Sequence, residues 1–92
     1  SQKNMSNPFC LEVVKFNEFN QSGEPARLVH VGYMKKMFRT RREAVEYYDT
    51  NNPHLRSINT HNTYMSDWDP TTRLAYIVRK SYGIDAHIPP FS

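Results

Sequence analysis

Hydrophobic and polar residues alternate along much of this chain. "FCLEVVKFNEF" (9–19) places Leu11 and Val13 on one face and Val14 and Phe16 on the other, with Glu12 on the latter. Its β-branched and aromatic content predicts a strand covered in part on both faces. "NQSGEP" (20–25) is turn chemistry. "ARLVHVGYMKKMF" (26–38) is a second strand region with Leu28 to Val31 as its centre. It either runs on through Phe38 or turns near Gly32–Lys36 into a short third strand, and Gly32 suggests a bulge or bend.

The period then changes. Thr40 to Glu43 reads as a capping box, in which the Thr40 hydroxyl accepts from the Glu43 amide and the Glu43 carboxylate reaches back to the Thr40 amide. Ala44, Tyr47 and Tyr48 follow at helical spacing, and Pro53 disfavours helical geometry at Asn52, so a helix is expected over about 40–51. Residues 52–63 read as loop, anchored by Leu55 and Ile58. A hairpin follows: strand 63–68, a turn over "DPTT" (69–72) and strand 73–82. Asp then Pro at the first two turn positions is the type I pattern. Leu74, Tyr76 and Val78 alternate with Ala75 and Ile77, as in a central strand.

The sum, β-β(-β)-α-β-β, predicts an α+β fold: a small antiparallel sheet with one helix packed on a face. Polar residues 1–8 are expected as a flexible tail, 9–83 as one domain and 84–92 as an extended C-terminal tail, since Pro89-Pro90 cannot continue a ladder. With 92 residues and twelve aromatics, one modest core built around rings is available. A chain of this size sits near the lower limit of independent stability, which keeps a homodimer or another protein partner in view.

Composition narrows the function classes. The single Cys10 rules out an internal disulfide, no apolar run approaches a membrane span, and the start shows no signal peptide. An intracellular protein with no membrane association is expected. The three glycines are isolated, which removes the usual nucleotide-binding fingerprints, and no cofactor is expected.

Charge is distributed unevenly. The net charge is +3, but Arg27 to Arg42 holds six cations and no acid, concentrated in "KKMFRTRR" (35–42). Lys35, Lys36, Arg39, Arg41 and Arg42 are therefore the candidate contacts to the phosphate backbone of DNA or RNA, where counterion release would drive binding. Cations in a first helical turn oppose the helix dipole, which hints at a use. The competing reading is a solvated strand edge guarded by lysines, with Arg42 paired to Glu46 at i, i+4.

"FRTRREAVEYYD" (38–49) resembles the strand-to-helix junction of AP2-type DNA-binding domains and of the small modules attached to homing endonucleases. In both, a Phe closes a strand, a Thr or Ser caps the helix and Glu-Ala begins it. The resemblance implies DNA contact by the junction and spans about a dozen residues. "SDWDPTTRLAYIVR" (66–79) looks like small uncharacterised proteins of large double-stranded DNA viruses, which would imply the cytoplasm or nucleus of a host cell.

Other chemistry is thinner. His54 and His61 share a loop upstream of Asp67 and Asp69, a set that could hold a transition metal or support acid–base cleavage of RNA, but the spacing matches no strong template. No metal site and no catalytic residue is assigned. Trp68, with Arg73 expected to stack on its ring, is the candidate partner-binding pair; the competing reading is an aromatic cap over the sheet edge. The expectation is a non-enzymatic binding domain that contacts nucleic acid. A protein-interaction or assembly module, such as a homodimer or a domain that binds a virion or host factor, is the alternative, and a His-dependent nuclease or metalloenzyme a distant third.

Overall fold

β1 (Phe9–Phe19) is the strand around which the rest is arranged in a computed structural model that describes residues 7–23, 25–55, 57–60 and 63–91. On one side it pairs antiparallel with β2 (Pro25–Phe38), and on the other with β5 (Leu74–Lys80). β5 in turn pairs with β4 (Thr63–Ser66), and β4 with β3 (Ser57–Thr60), giving a five-stranded antiparallel sheet in the order β2-β1-β5-β4-β3. A single helix among the described residues, α1 (Arg41–Asn51), connects β2 to β3 and packs on one face. The fold is α+β, as expected, and β5 is a central strand.

Three details differ from the expected elements. β2 is one continuous strand of 14 residues, so no third strand precedes the helix. Register shifts against β1 absorb its extra residues, one of them between the Val13–Gly32 and Val14–His30 pairs, where a glycine relaxes the ladder. Residues 57–60, read as loop, form β3. The polar segment "SINT" carries little strand signal of its own and is ordered as a strand by its ladder with β4. The 69–72 turn is one residue wider than a type I turn: the Arg73 amide donates to the Asp69 carbonyl at 2.6 Å, and Arg73 takes a left-handed conformation with φ 63°.

The helix start follows its local chemistry. Thr40 is extended and its hydroxyl accepts from the Glu43 amide at 3.1 Å. The Glu43 carboxylate reaches one residue beyond the expected Thr40 amide and accepts from the Arg39 amide at 3.2 Å. Ala44 and Tyr48, one helical turn apart, are buried against Leu11, Val13, Met34, Phe38 and Val78. Full burial of each large apolar side chain contributes about 1.5–3 kcal/mol. Tyr47 sits at the margin of this core and Tyr48 within it.

The opposite face of the sheet has its own buried cluster of Val14, Phe16, Ala75 and Ile77, with Met65 and Trp68 packed against it. Both faces of β1 are therefore covered over its first half, as its sequence pattern predicts.

The two ends of the domain are tied down. Ser81 donates to Pro8 at 2.7 Å through its amide and to Asn7 at 3.3 Å through its hydroxyl, which holds Asn7 and Pro8 against the residue that follows β5. The extended C-terminal segment lies along the outer edge of β2. Ile88 forms a parallel bridge with Met34, the Lys35 amide donates to the Ile88 carbonyl at 2.8 Å, and the Ile88 amide donates to Tyr33 at 2.9 Å. Phe91 then enters an aromatic group with Tyr47, Tyr48 and Tyr76. This segment covers part of an edge that would otherwise present unpaired amides and carbonyls.

Candidate nucleic-acid interface

The cations of "KKMFRTRR" do not form one flat patch. Met34 and Phe38 lie in the core under the helix, so strand alternation puts Lys36 on that face and Lys35 on the other. The Lys36 ammonium lies over the rings of Tyr47 and Phe38, 5.2 and 5.7 Å from their centroids. Arg39 pairs with Glu43 at 3.3 Å. The Arg41 guanidinium covers Phe9, 4.9 Å from its ring centroid. Arg42 is exposed, and the Arg42–Glu46 ion pair expected at the same spacing does not form; the acid that engages this turn is Glu43, through Arg39. Of the five, Lys35 and Arg42 are exposed, and among the described residues their charges have no ion pair, side-chain hydrogen bond or ring contact.

Strand pairing adds two cations that lie far away in sequence. Phe9 is flanked by Phe38 in β2 and by Lys80 in β5, and Cys10 by Met37 and Arg79. The start of β1, the ends of β2 and β5 and the first turn of α1 thus converge at one end of the molecule. Adjacent strands lie about 4.8 Å apart, so Lys80 stands roughly 10 Å from the end of β2, about one Debye length at physiological salt. Seven cations gather here: Lys35, Lys36, Arg39, Arg41, Arg42, Arg79 and Lys80. Among the described residues two are ion-paired, Arg39 with Glu43 and Arg79 with Glu12, which leaves five without an ion pair.

The Glu12 site was not foreseen from the sequence. Glu12 is 8% exposed, on the sheet face opposite the helix. Its carboxylate accepts from Arg79 Nε at 2.9 Å and bonds His30 Nδ1 at 2.7 Å. His30 also stacks on Tyr33, with centroids 4.8 Å apart. A buried carboxylate requires such partners. The sequence signal was the charged residue within an apolar strand face, but its partners lie 18 and 67 positions away. Next to it, Cys10 is fully buried. Burial, with a smaller contribution from the Glu12 charge, pushes its thiol up from 9.0 to about 11. That thiol is protonated at neutral pH and is no nucleophile.

The remaining candidates are dispersed. His54 is exposed beyond the helix, and His61 lies outside the described residues. Among the described residues, no group of three or more His, Cys, Asp or Glu side chains is placed to hold a metal, and no helix is long and apolar enough to cross a membrane. Trp68 is half-buried, edge-on to Phe16 at 5.6 Å and tilted against Phe19 at 6.4 Å. Arg73 does not stack on Trp68: its guanidinium covers Phe19, 5.3 Å from the centroid, because the left-handed turn redirects the side chain. No protein-family model, curated protein or solved structure matches the chain.

Proposed function

We propose that this chain is a non-enzymatic binding domain that holds the phosphate backbone of DNA or RNA against its basic end. The observation that carries the reading is the convergence of seven cations at one end, of which two are ion-paired among the described residues. Strand pairing makes the charge denser than the sequence run alone. The amides of Arg41 and Arg42, without intrahelical acceptors by the geometry of a helix start, add donors at the same place, the Glu43 amide being taken by the Thr40 hydroxyl. The likeness of residues 38–49 to AP2-type junctions agrees with this reading but does not carry it, since Phe38, Thr40 and Glu43 are each explained by the helix start. Such a domain would act in the cytoplasm or nucleus.

Fluorescence anisotropy with labelled duplex and single-stranded probes at graded salt tests the reading. Five uncompensated cations predict a log–log salt slope of about −4.5 on duplex DNA. Absence of binding to DNA and to RNA at low salt would overturn it.

A second reading, pairing with another protein chain, is favoured by one observation. Leu28, Val29 and Val31 are 47%, 38% and 45% exposed on the edge strand β2. They precede the stretch that the C-terminal segment covers, and an open apolar edge is a template for strand addition. Sedimentation velocity across a wide concentration range tests the homodimer form; a monomer throughout removes it.

A further inference from the structure

The end of the molecule opposite the basic end holds an open pocket of about 290 Å³ lined by Leu55, Asp67, Trp68 and Pro70. β5 separates the two ends by roughly 20 Å, given its seven residues and a strand rise of about 3.3 Å. Three properties of the pocket define what it can take. Its walls are apolar on Leu55 and Pro70. Its ring, Trp68, is fixed against Phe16 and Phe19 and so is presented in one orientation. Its charge, Asp67, is only partly exposed, yet the carboxylate has neither ion pair nor hydrogen bond among the described residues.

The cations close by in sequence do not fill this role. Arg73 is committed to Phe19. Asp69 is spent on the turn, where its Oδ1 accepts from the amides of Thr71 and Thr72 at 2.8 and 3.4 Å. Among the described residues, Asp67 thus stands as an anion without an ion pair or hydrogen bond, beside the Trp68 ring and apolar walls. A planar cation on an apolar stem complements all three features: it stacks on the ring, pairs with the carboxylate and buries its methylenes on Leu55 and Pro70. Elsewhere this chain already places cations on rings, in Arg41 over Phe9 and Arg73 over Phe19.

We infer that the Leu55–Asp67–Trp68–Pro70 pocket receives an arginine side chain from a basic segment of a partner protein. Guanidinium suits the site better than ammonium, because it stacks flat and meets a carboxylate through two donors. The inference is independent of the nucleic-acid reading, since it concerns the other end of the molecule.

The test uses the full chain and a capped tripeptide, acetyl-Gly-Arg-Gly-amide, with a citrulline peptide as the neutral isostere. Trp68 is the single tryptophan, so one indole N–H resonance reports on the pocket. The arginine peptide is expected to shift that resonance saturably within about 20 mM, in the millimolar range of a single-side-chain contact. The citrulline peptide is expected to bind about tenfold more weakly or less. Asp67→Asn, whose amide spectrum away from the pocket verifies its fold, is expected to bring the two peptides level. A shift that does not saturate, equal affinity for the two peptides, or undiminished arginine preference in Asp67→Asn would overturn the assignment.

Discussion

The guanidinium of Arg41, in the first turn of α1, lies over the ring of Phe9 at the start of β1, 4.9 Å from its centroid. A residue that reads in sequence as a phosphate contact is thus also a clamp between the helix and the sheet. Arg42, the next residue, has no such tie. The two are expected to separate the two roles. Arg41→Ala costs about 0.5–1 kcal/mol of stability, a fall in Tm of roughly 2–8 °C in a domain of this size, while Arg42→Ala leaves Tm unchanged. Each lowers the salt slope of nucleic-acid binding by about 1. Thermal melts followed by circular dichroism, together with the anisotropy titrations, check both halves. Equal melts for the two variants would show that the Arg41 contact contributes nothing.

The C-terminal segment is expected to behave as part of the domain. Phe91 lies 5.2–6.0 Å, centroid to centroid, from Tyr47, Tyr48 and Tyr76, and its carbonyl accepts from the Tyr47 hydroxyl at 3.0 Å. Phe91→Ala should cost roughly 2 kcal/mol, below the value for a fully enclosed ring because Phe91 is half-buried. Gly32→Val should release the same segment from the other side, since a Cβ at position 32 would stand 2.6 Å from His87 Nε2 and 2.8 Å from Ile88 Cδ1. Hydrogen exchange reads the outcome at the Lys35 amide, which donates to Ile88. Unchanged protection there in Gly32→Val would mean that the segment accommodates the side chain without leaving β2.

Glu12 links stability to binding. Glu12→Gln replaces a carboxylate that holds Arg79 and His30 with a neutral amide and is expected to cost roughly 1–3 kcal/mol in chemical denaturation. The substitution also removes a negative charge from the basic end, so nucleic-acid affinity should rise even as stability falls. A variant that lost both would place Arg79 among groups that bind only when oriented by Glu12.

Alkaline pH should unfold the domain early. Burial raises the thiol of Cys10 to about 11 from 9.0, and it raises the hydroxyls of Tyr48 and Tyr76 above 10.0. In each case the unfolded chain ionises first. The stability tied to Cys10 is therefore complete below pH 9 and is lost as pH rises through about 11, with the tyrosines following above pH 10. Cys10→Ser removes the lower step. Urea midpoints measured from pH 8 to 11 would show an earlier decline in the parent chain than in Cys10→Ser; parallel curves would exclude the thiol as the cause.

What the sequence determined by itself was local. The Thr40 cap, the helix to Asn51, the turn that follows β1 and the two-faced pattern of β1 each follow from backbone dihedral preferences, short hydrogen bonds or side-chain period within a few residues. The packing of a helix on an antiparallel sheet followed from their order. The tertiary structure alone decided the strand order, the enrolment of "SINT" as β3 and the continuity of β2. It brought Arg79 and Lys80 to the same end as Arg41, gave Glu12 its partners and left Asp67 without a partner among the described residues. The strand order, the basic end and the partners of Glu12 depend on register between strands distant in the chain, and a one-residue slip would send every side chain to the opposite face. Register is set by the summed fit of two buried faces, so no short stretch of sequence carries it.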